Sequence, residues 1–267
     1  MESEGLKDFL EIVGDAVHSV NTICVGLSAV GSGEAKKPDD LTISWSTSDP
    51  ATAAAKARLF ALRASLVFVE EALLKYLEFL ADCSTDDENL IKAVKTEGAA
   101  NRIFEVSKFL SNVETYWWPM VVLLVRWRNK VVHHSASSLT VHQRKILINH
   151  ADELNKRHAG IDITRTLENF ESGQITLKDF TTLIAIAVHF VRALDKQLEP
   201  RIHSLEGFEQ RLRQRGLLET FNKIMNANGE TTRRRKLALF LKSEFSDLTD
   251  VFVEEIYKNG PFIKSRA

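Results

Sequence analysis

Residues 58–82, RLFALRASLVFVEEALLKYLEFLAD, decide the fold. Apolar side chains fill more than one side of this segment at helical spacing, which suits a helix at the centre of a bundle. Asp49 followed by Pro50 marks its start, because an N-cap carboxylate accepts free N–H groups and proline suits the first turn. The helix is therefore expected to run from about residue 50 to Asp82. Upstream, Leu6, Phe9, Leu10, Val13, Val17, Val20 and Ile23 repeat with the same period until Gly31 breaks the run. Leu41 to Trp45 (LTISW) reads as an extended loop with no partner strand.

Downstream the same reading continues. Ser84-Thr85-Asp86-Asp87 opens a short helix, and Thr96-Glu97 opens another that reaches about Leu110. Asn112 to His134 is the next, with Pro119 in its first turns. Thr140 with Gln143 forms a capping box for a helix stopping at Gly160. Asp162 and Thr176 precede two more, the second ending at Pro200. About seven helices with short connections predict an all-α, antiparallel helical bundle over residues 1–200. After Pro200 the composition shifts: residues 201–267 hold 13 Lys/Arg against 9 Asp/Glu, whereas residues 1–200 hold 22 against 27. This basic stretch predicts a small helical C-terminal extension with helices over 205–226, 232–244 and 248–258.

The composition narrows the function. A chain of 267 residues with 44% hydrophobic content buries a substantial core, and its net charge of −1 excludes a polycationic nucleic-acid coat. Cys24 and Cys83 are too few for a disulfide framework or a four-cysteine zinc site, and their apolar neighbours suit packing. Twelve Gly and five Pro are few for an all-β or disordered chain. MESEGLKD lacks the basic start of a secretory signal. The most apolar stretch, Trp117 to Val125, is well short of the ~20 residues of a bilayer span. The expectation is a cytoplasmic protein without a membrane partner.

One segment concentrates chemistry: Arg126-Trp127-Arg128-Asn129-Lys130-Val131-Val132-His133-His134, at the end of that apolar helix. Burying the helix carries these polar groups to the edge of a core, where each needs a partner or a cleft. Arg128 and His133 lie about 7.5 Å apart along the helix axis, a gap the arginine side chain spans. A guanidinium fork matches phosphate oxygens, and an imidazole moves protons near neutral pH. Together they suit binding of a phosphodiester, stabilisation of its transition-state charge, and acid–base work. With RNA the 2′-hydroxyl serves as an internal nucleophile, giving a 2′,3′-cyclic phosphate and a 5′-hydroxyl without a metal ion.

Arg128-Asn129-Lys130-Val131-Val132-His133 resembles the Arg-x4-His motif of the HEPN superfamily in its R-N-x-x-x-H form. That family comprises α-helical bundles found in prokaryotic toxins, abortive-infection proteins, CRISPR effectors and some eukaryotic nucleases. The resemblance implies a metal-independent, cofactor-free endoribonuclease whose two copies form a homodimer and face their motifs across a shared cleft. It assigns Arg128 and His133 to the invariant pair and Asn129 to the polar position after the arginine; His134 has no fixed role. It further implies phage defence or toxicity to the host, with an antitoxin or another defence-system protein as partner. Many members are inactive or bind a nucleotidyltransferase, so a non-catalytic helical scaffold is the alternative. Trp117, Trp118 and Trp127 would then serve as interface anchors, a role no more favoured by the sequence than core packing. Residues 201–267 align with nothing in the family.

Other groups carry less. Glu70, Glu71 and Glu78 lie on the 50–82 helix; one of them is suited to orient Arg128 or His133, although a solvated helix face is the simpler reading of each taken singly. Glu97 and Arg102 read as an ordinary surface pair. His142, His150 and His158 recur every eight residues; on one continuous helix that spacing scatters them about 80° and 12 Å apart, too far for a shared metal. No phosphate-binding glycine loop of the G-x-x-x-x-G-K-[ST] kind and no Gly-x-Ser-x-Gly elbow occurs. Arg233, Arg234, Arg235 and Lys236 crowd a helix start, where the helix dipole disfavours cations. They are a candidate nucleic-acid contact that would position RNA without reading its sequence.

Overall fold

The computed structural model describes residues 2–45, 48–84, 87–133, 138–202, 204–245 and 248–261. Those residues form thirteen helices and no strand, so the chain is an all-α helical bundle. His134, Thr85, Asp86 and the end of the chain lie outside the described residues. The helices are α1 (Glu4–Gly31), α2 (Pro50–Asp82), α3 (Glu88–Lys95), α4 (Ala99–Ser107), α5 (Trp117–His133), α6 (Val141–Asn149), α7 (Ala151–Arg157), α8 (Ile163–Ser172) and α9 (Leu177–Ile202). Then come α10 (Leu205–Gln214), α11 (Leu218–Met225), α12 (Glu230–Glu244) and α13 (Asp250–Asn259).

Local chemistry sets many of the starts. The side chains of Ser3, Asp49, Asp87, Thr140, Asp162, Ser204 and Thr249 each accept a free N–H of the helix that follows. Thr140 and Gln143 close the reciprocal capping box. Four long helices, α1, α2, α5 and α9, form the centre of the bundle, with α4 against α5. They alternate in direction. Lys75 of α2 pairs with Asp8 of α1 at 3.7 Å, and Gly31 at the other end of α1 faces Ala54. Asp195 near the end of α9 binds Ser3 at the start of α1, and Trp117 at the start of α5 stacks on His189 of α9.

The buried core of this bundle runs from Leu6 to Leu194. A second buried cluster is built from α10 to α13, where Phe208 packs against Phe221, Phe245 and Phe252 at 5.1–6.2 Å between ring centres. Arg215 joins the two regions, pairing with Glu4 of α1 while donating to the Glu244 carbonyl.

Several expected boundaries move. The segment 140–160 is two helices, α6 and α7, broken at His150. The segment 205–226 is also two, parted at Gly216, whose φ of +66° ends α10. Helix α5 starts at Trp117 rather than Asn112, and α4 ends at Ser107 rather than Leu110. Helix α9 continues through Pro200 to Ile202, so the change in composition falls within its last turn. Leu41, Ile43 and Trp45 are exposed and form no strand. By length and composition alone, α1 is long and apolar enough to cross a membrane, unlike the shorter Trp117–Val125 stretch.

Candidate active site

Helix α5 is deeply sealed along its first half. Every residue from Pro119 to Val125 is buried, as is Trp127. Its C-terminal turns emerge from the core, and the motif lies on that edge. Arg128 is only 20% exposed, and its Nε lies 2.9 Å from Oε2 of Glu70 on α2, which is 3% exposed. The contact is an ion pair whose angle lies outside hydrogen-bond geometry, so neither atom has a hydrogen-bond partner among the described residues. Burial pushes the Glu70 carboxyl above its ordinary pKa; Arg128 opposes that shift and neighbouring Glu71 adds to it.

The rest of the guanidinium faces outward. Its Nη1 donates to Oδ1 of Asn129 at 3.2 Å and approaches Nε2 of His133 at the same distance. Arginine has only donors, so Nε2 accepts here and the ring proton sits on Nδ1. His133 itself is exposed. Arg128, Asn129 and His133 therefore form one connected cluster at an open edge, backed from inside by Glu70.

Two further cations hold this edge in place. Lys130 runs over the Phe170 ring at 4.3 Å, and its Nζ donates to the carbonyls of Phe170 (3.0 Å) and Glu171 (3.3 Å) at the end of α8. Burial, with a smaller contribution from Arg144, lowers its pKa. Arg63, two turns before Glu70 on α2, donates to the Gly173 carbonyl at 2.7 Å. Cations at these carbonyls help to satisfy the end of α8 and complement its dipole. Sequence reading assigned neither residue a role, because the partner backbone is some 40 to 110 residues away.

Trp127 is fully buried against Phe170, so it is a core residue and not a surface anchor. Trp117 and Trp118 are half-buried, stacked on His189 and tilted against Phe104 respectively. Glu78 is exposed, and Glu97 and Arg102 form no pair; Arg102 donates instead to the Thr96 carbonyl.

The histidines differ from their expected scatter. Because the chain breaks at His150, both His150 and His158 pack on Tyr116, at 5.6 and 5.8 Å between ring centres. His150 bridges Thr115 (2.8 Å) and Glu153 (3.1 Å), tying the turn before α5 to the α6–α7 corner. Burial and the neighbouring His189 lower the pKa of His158. No group of three or more His, Cys, Asp or Glu among the described residues is arranged to hold a metal ion.

The basic run on α12 divides. Arg234 is held by Glu230 and by Glu254 (2.6 Å), with its guanidinium 4.1 Å from the Tyr257 ring centre. Arg233 also lies over Tyr257, whereas Arg235 and Lys236 are exposed. Among the described residues Arg233, Arg235 and Lys236 have no carboxylate partner, whereas the charge of Arg234 is taken up by Glu230 and Glu254. No family model, curated protein or solved structure matches the chain.

Proposed function

We propose that the protein is a metal-independent endoribonuclease of the HEPN type, with Arg128, Asn129 and His133 as its site. The observation that carries this reading is the convergence of the guanidinium and the imidazole, 3.2 Å apart at an open edge. A phosphodiester oxygen is a better acceptor for Arg128 than Nε2 of His133 and would take its place. Arg128 would then neutralise the charge that builds on phosphorus, with Asn129 orienting it. Two motifs facing one another, as the resemblance implies, supply two imidazoles. One takes the 2′-hydroxyl proton as that oxygen attacks phosphorus. The other gives a proton to the departing 5′-oxygen. The products are a 2′,3′-cyclic phosphate and a 5′-hydroxyl end. Arg235 and Lys236 are candidates for holding the RNA backbone. A cytoplasmic setting, a role in defence or toxicity, and restraint by an antitoxin or other defence-system protein belong to the same reading.

The test is cleavage of structured and unstructured RNA in chelator, with end-group analysis. His133→Ala and Arg128→Ala are each expected to lower the rate by about a hundredfold or more. No cleavage by the wild type, or cleavage unchanged in His133→Ala, rejects the reading. One observation favours a non-catalytic scaffold instead: Arg128 is already engaged by Glu70, Asn129 and His133, as in a staple joining α2 to α5. On that reading Arg128→Ala destabilises the fold, His133→Ala changes nothing, and RNA remains intact.

A further inference from the structure

Helix α5 carries three cations with permanent charge, Arg126, Arg128 and Lys130, and no carboxylate of its own. Two of them are answered from other helices: Arg128 by Glu70, and Lys130 by the carbonyls of Phe170 and Glu171. Arg126 is not. It is half-buried, and among the described residues none of its nitrogens meets a hydrogen-bond acceptor, a carboxylate or an aromatic ring. Only its Nε is sealed, so the two Nη nitrogens face solvent.

A guanidinium drawn into the edge of a core gives up water and needs an anion or other acceptors in return. The helix dipole does not supply them, because its effect fades within the last turn and Arg126 stands seven residues before the end of α5 at His133. We propose that Arg126 is a substrate-binding residue that holds a phosphate of the RNA strand next to the scissile linkage.

The register of α5 supports that occupant. Arg126 and His133 are about 20° apart around the helix and about 10.5 Å apart along it, with Asn129 between them. The three share one stripe. A strand laid along it from the Arg128–His133 pair towards the start of α5 meets Arg126 next, and an arginine fork matches two phosphate oxygens. Charge agrees: residues 1–200 hold 22 Lys/Arg against 27 Asp/Glu, so the bundle as a whole does not attract a polyanion and local cations must hold it.

Arg58 on α2 supplies the comparison. It too is half-buried, with a sealed Nε and no partner among the described residues, but it stands twelve residues before Glu70, about 18 Å along α2. Lack of a partner alone therefore does not make a site; a place on the stripe of the motif does.

This inference deepens the nuclease reading and rests on it for the identity of the strand and of the scissile linkage. The experiment is binding of a fluorescein-labelled single-stranded RNA to the full chain carrying His133→Ala, in chelator, between about 50 and 200 mM salt. Arg126→Met keeps an unbranched stem and removes the fork. It is expected to weaken binding about tenfold at the lower salt and to reduce the slope of log affinity against log salt by about 0.7. Arg58→Met is expected to change neither. In urea, Arg126→Met is expected to unfold at the same midpoint as its parent or a higher one, since an unpaired charge is gone. If Arg126→Met does not fold, Arg126→Lys decides: the slope should be kept and the affinity should fall severalfold, because an ammonium carries the charge without the fork.

No binding of RNA by the parent, an unchanged affinity or slope in Arg126→Met, or an equal loss in Arg58→Met overturns the proposal. So does a lower urea midpoint in Arg126→Met, an unchanged affinity in Arg126→Lys, or protection from unfolding by inorganic phosphate alone with no RNA bound. Binding is read without turnover. Intact RNA in the cleavage test therefore rejects the nuclease reading without touching the phosphate contact, and an indifferent Arg126 leaves the nuclease reading in place.

Discussion

Replacing Glu70 by Gln tests the physics behind the site. At 2.9 Å, the attraction between Glu70 and Arg128 is about 6 kcal/mol in an effective dielectric near 20. Against it stands the cost of stripping water from a carboxylate that is 3% exposed, several kcal/mol by itself. The upward shift of the Glu70 pKa gives the direction: burial outweighs the arginine, so ionisation is less favoured in the fold than in the unfolded chain. Gln removes both effects and keeps an oxygen facing the guanidinium. The expected change at neutral pH is within about 1 kcal/mol, towards higher stability.

The pH dependence fixes the sign. A carboxyl whose pKa is raised by folding contributes fully below its unfolded value, and that contribution is lost as pH rises through the folded value. Well below the ordinary value of 4.5, wild type and Glu70→Gln should be equally stable. Above it the wild type should fall behind until the folded pKa is passed, and the gap should then stay constant. Urea unfolding across that range measures it. A Glu70→Gln protein weaker by about 3 kcal/mol or more at neutral pH would mean that the pair is strongly stabilising, and the argument from burial would be wrong.

Two further substitutions probe the frame. Trp127 is sealed in the core with its Nε1–H lacking a partner, so Trp127→Phe trades a small cavity for the loss of an unpaired donor. Its unfolding free energy should change by no more than about 1 kcal/mol, against the ~3–5 kcal/mol expected of Trp127→Ala; a large loss in the phenylalanine variant would show that the indole N–H is bonded. Ser3 caps α1 by accepting from Leu6 at 3.1 Å and also donates to the buried Asp195 carboxylate. Ser3→Ala should cost about 2–3 kcal/mol in urea unfolding. It also removes a bond that holds the Asp195 pKa down against burial, so the loss should deepen as pH rises through the carboxylate range. A loss independent of pH would separate Asp195 from Ser3.

What the sequence disclosed follows the range of the interaction. Asp49-Pro50, Thr140 with Gln143, and Asp162 act within one turn, and each helix start appears where they predict it. The break at His150 has no glycine or proline to announce it; the bonds from His150 to Thr115 and Glu153 accompany it, and Thr115 is thirty-five residues away. Gly216 is a visible signal, but the apolar period continues across it. The Arg128–His133 contact is legible because five residues of one helix set it. The choice of Glu70 over Glu71 is tertiary: Glu70 faces α5 and is buried, whereas Glu71 is exposed. Phe60 and Phe68, exposed on α2, were unreadable as surface residues, since an apolar stripe at helical period has the same signature whether a neighbouring helix covers it or nothing does.

The same guanidinium meets two demands that pull against one another. Holding α2 to α5 requires Arg128 to stay turned toward Glu70, and gripping a phosphate requires donors that face solvent. Arginine satisfies both because its five N–H groups point in fixed, divergent directions, with Nε turned inward and Nη1 outward. Lysine, with a single nitrogen, would have to choose. His133 carries no such double duty, since it is exposed and its contact within the site is to Arg128. Loss of cleavage on removing the imidazole therefore reports chemistry, whereas loss on removing the guanidinium mixes chemistry with the integrity of the edge. For that reason unaltered stability in His133→Ala, set beside its activity, carries more weight than any result from Arg128→Ala alone.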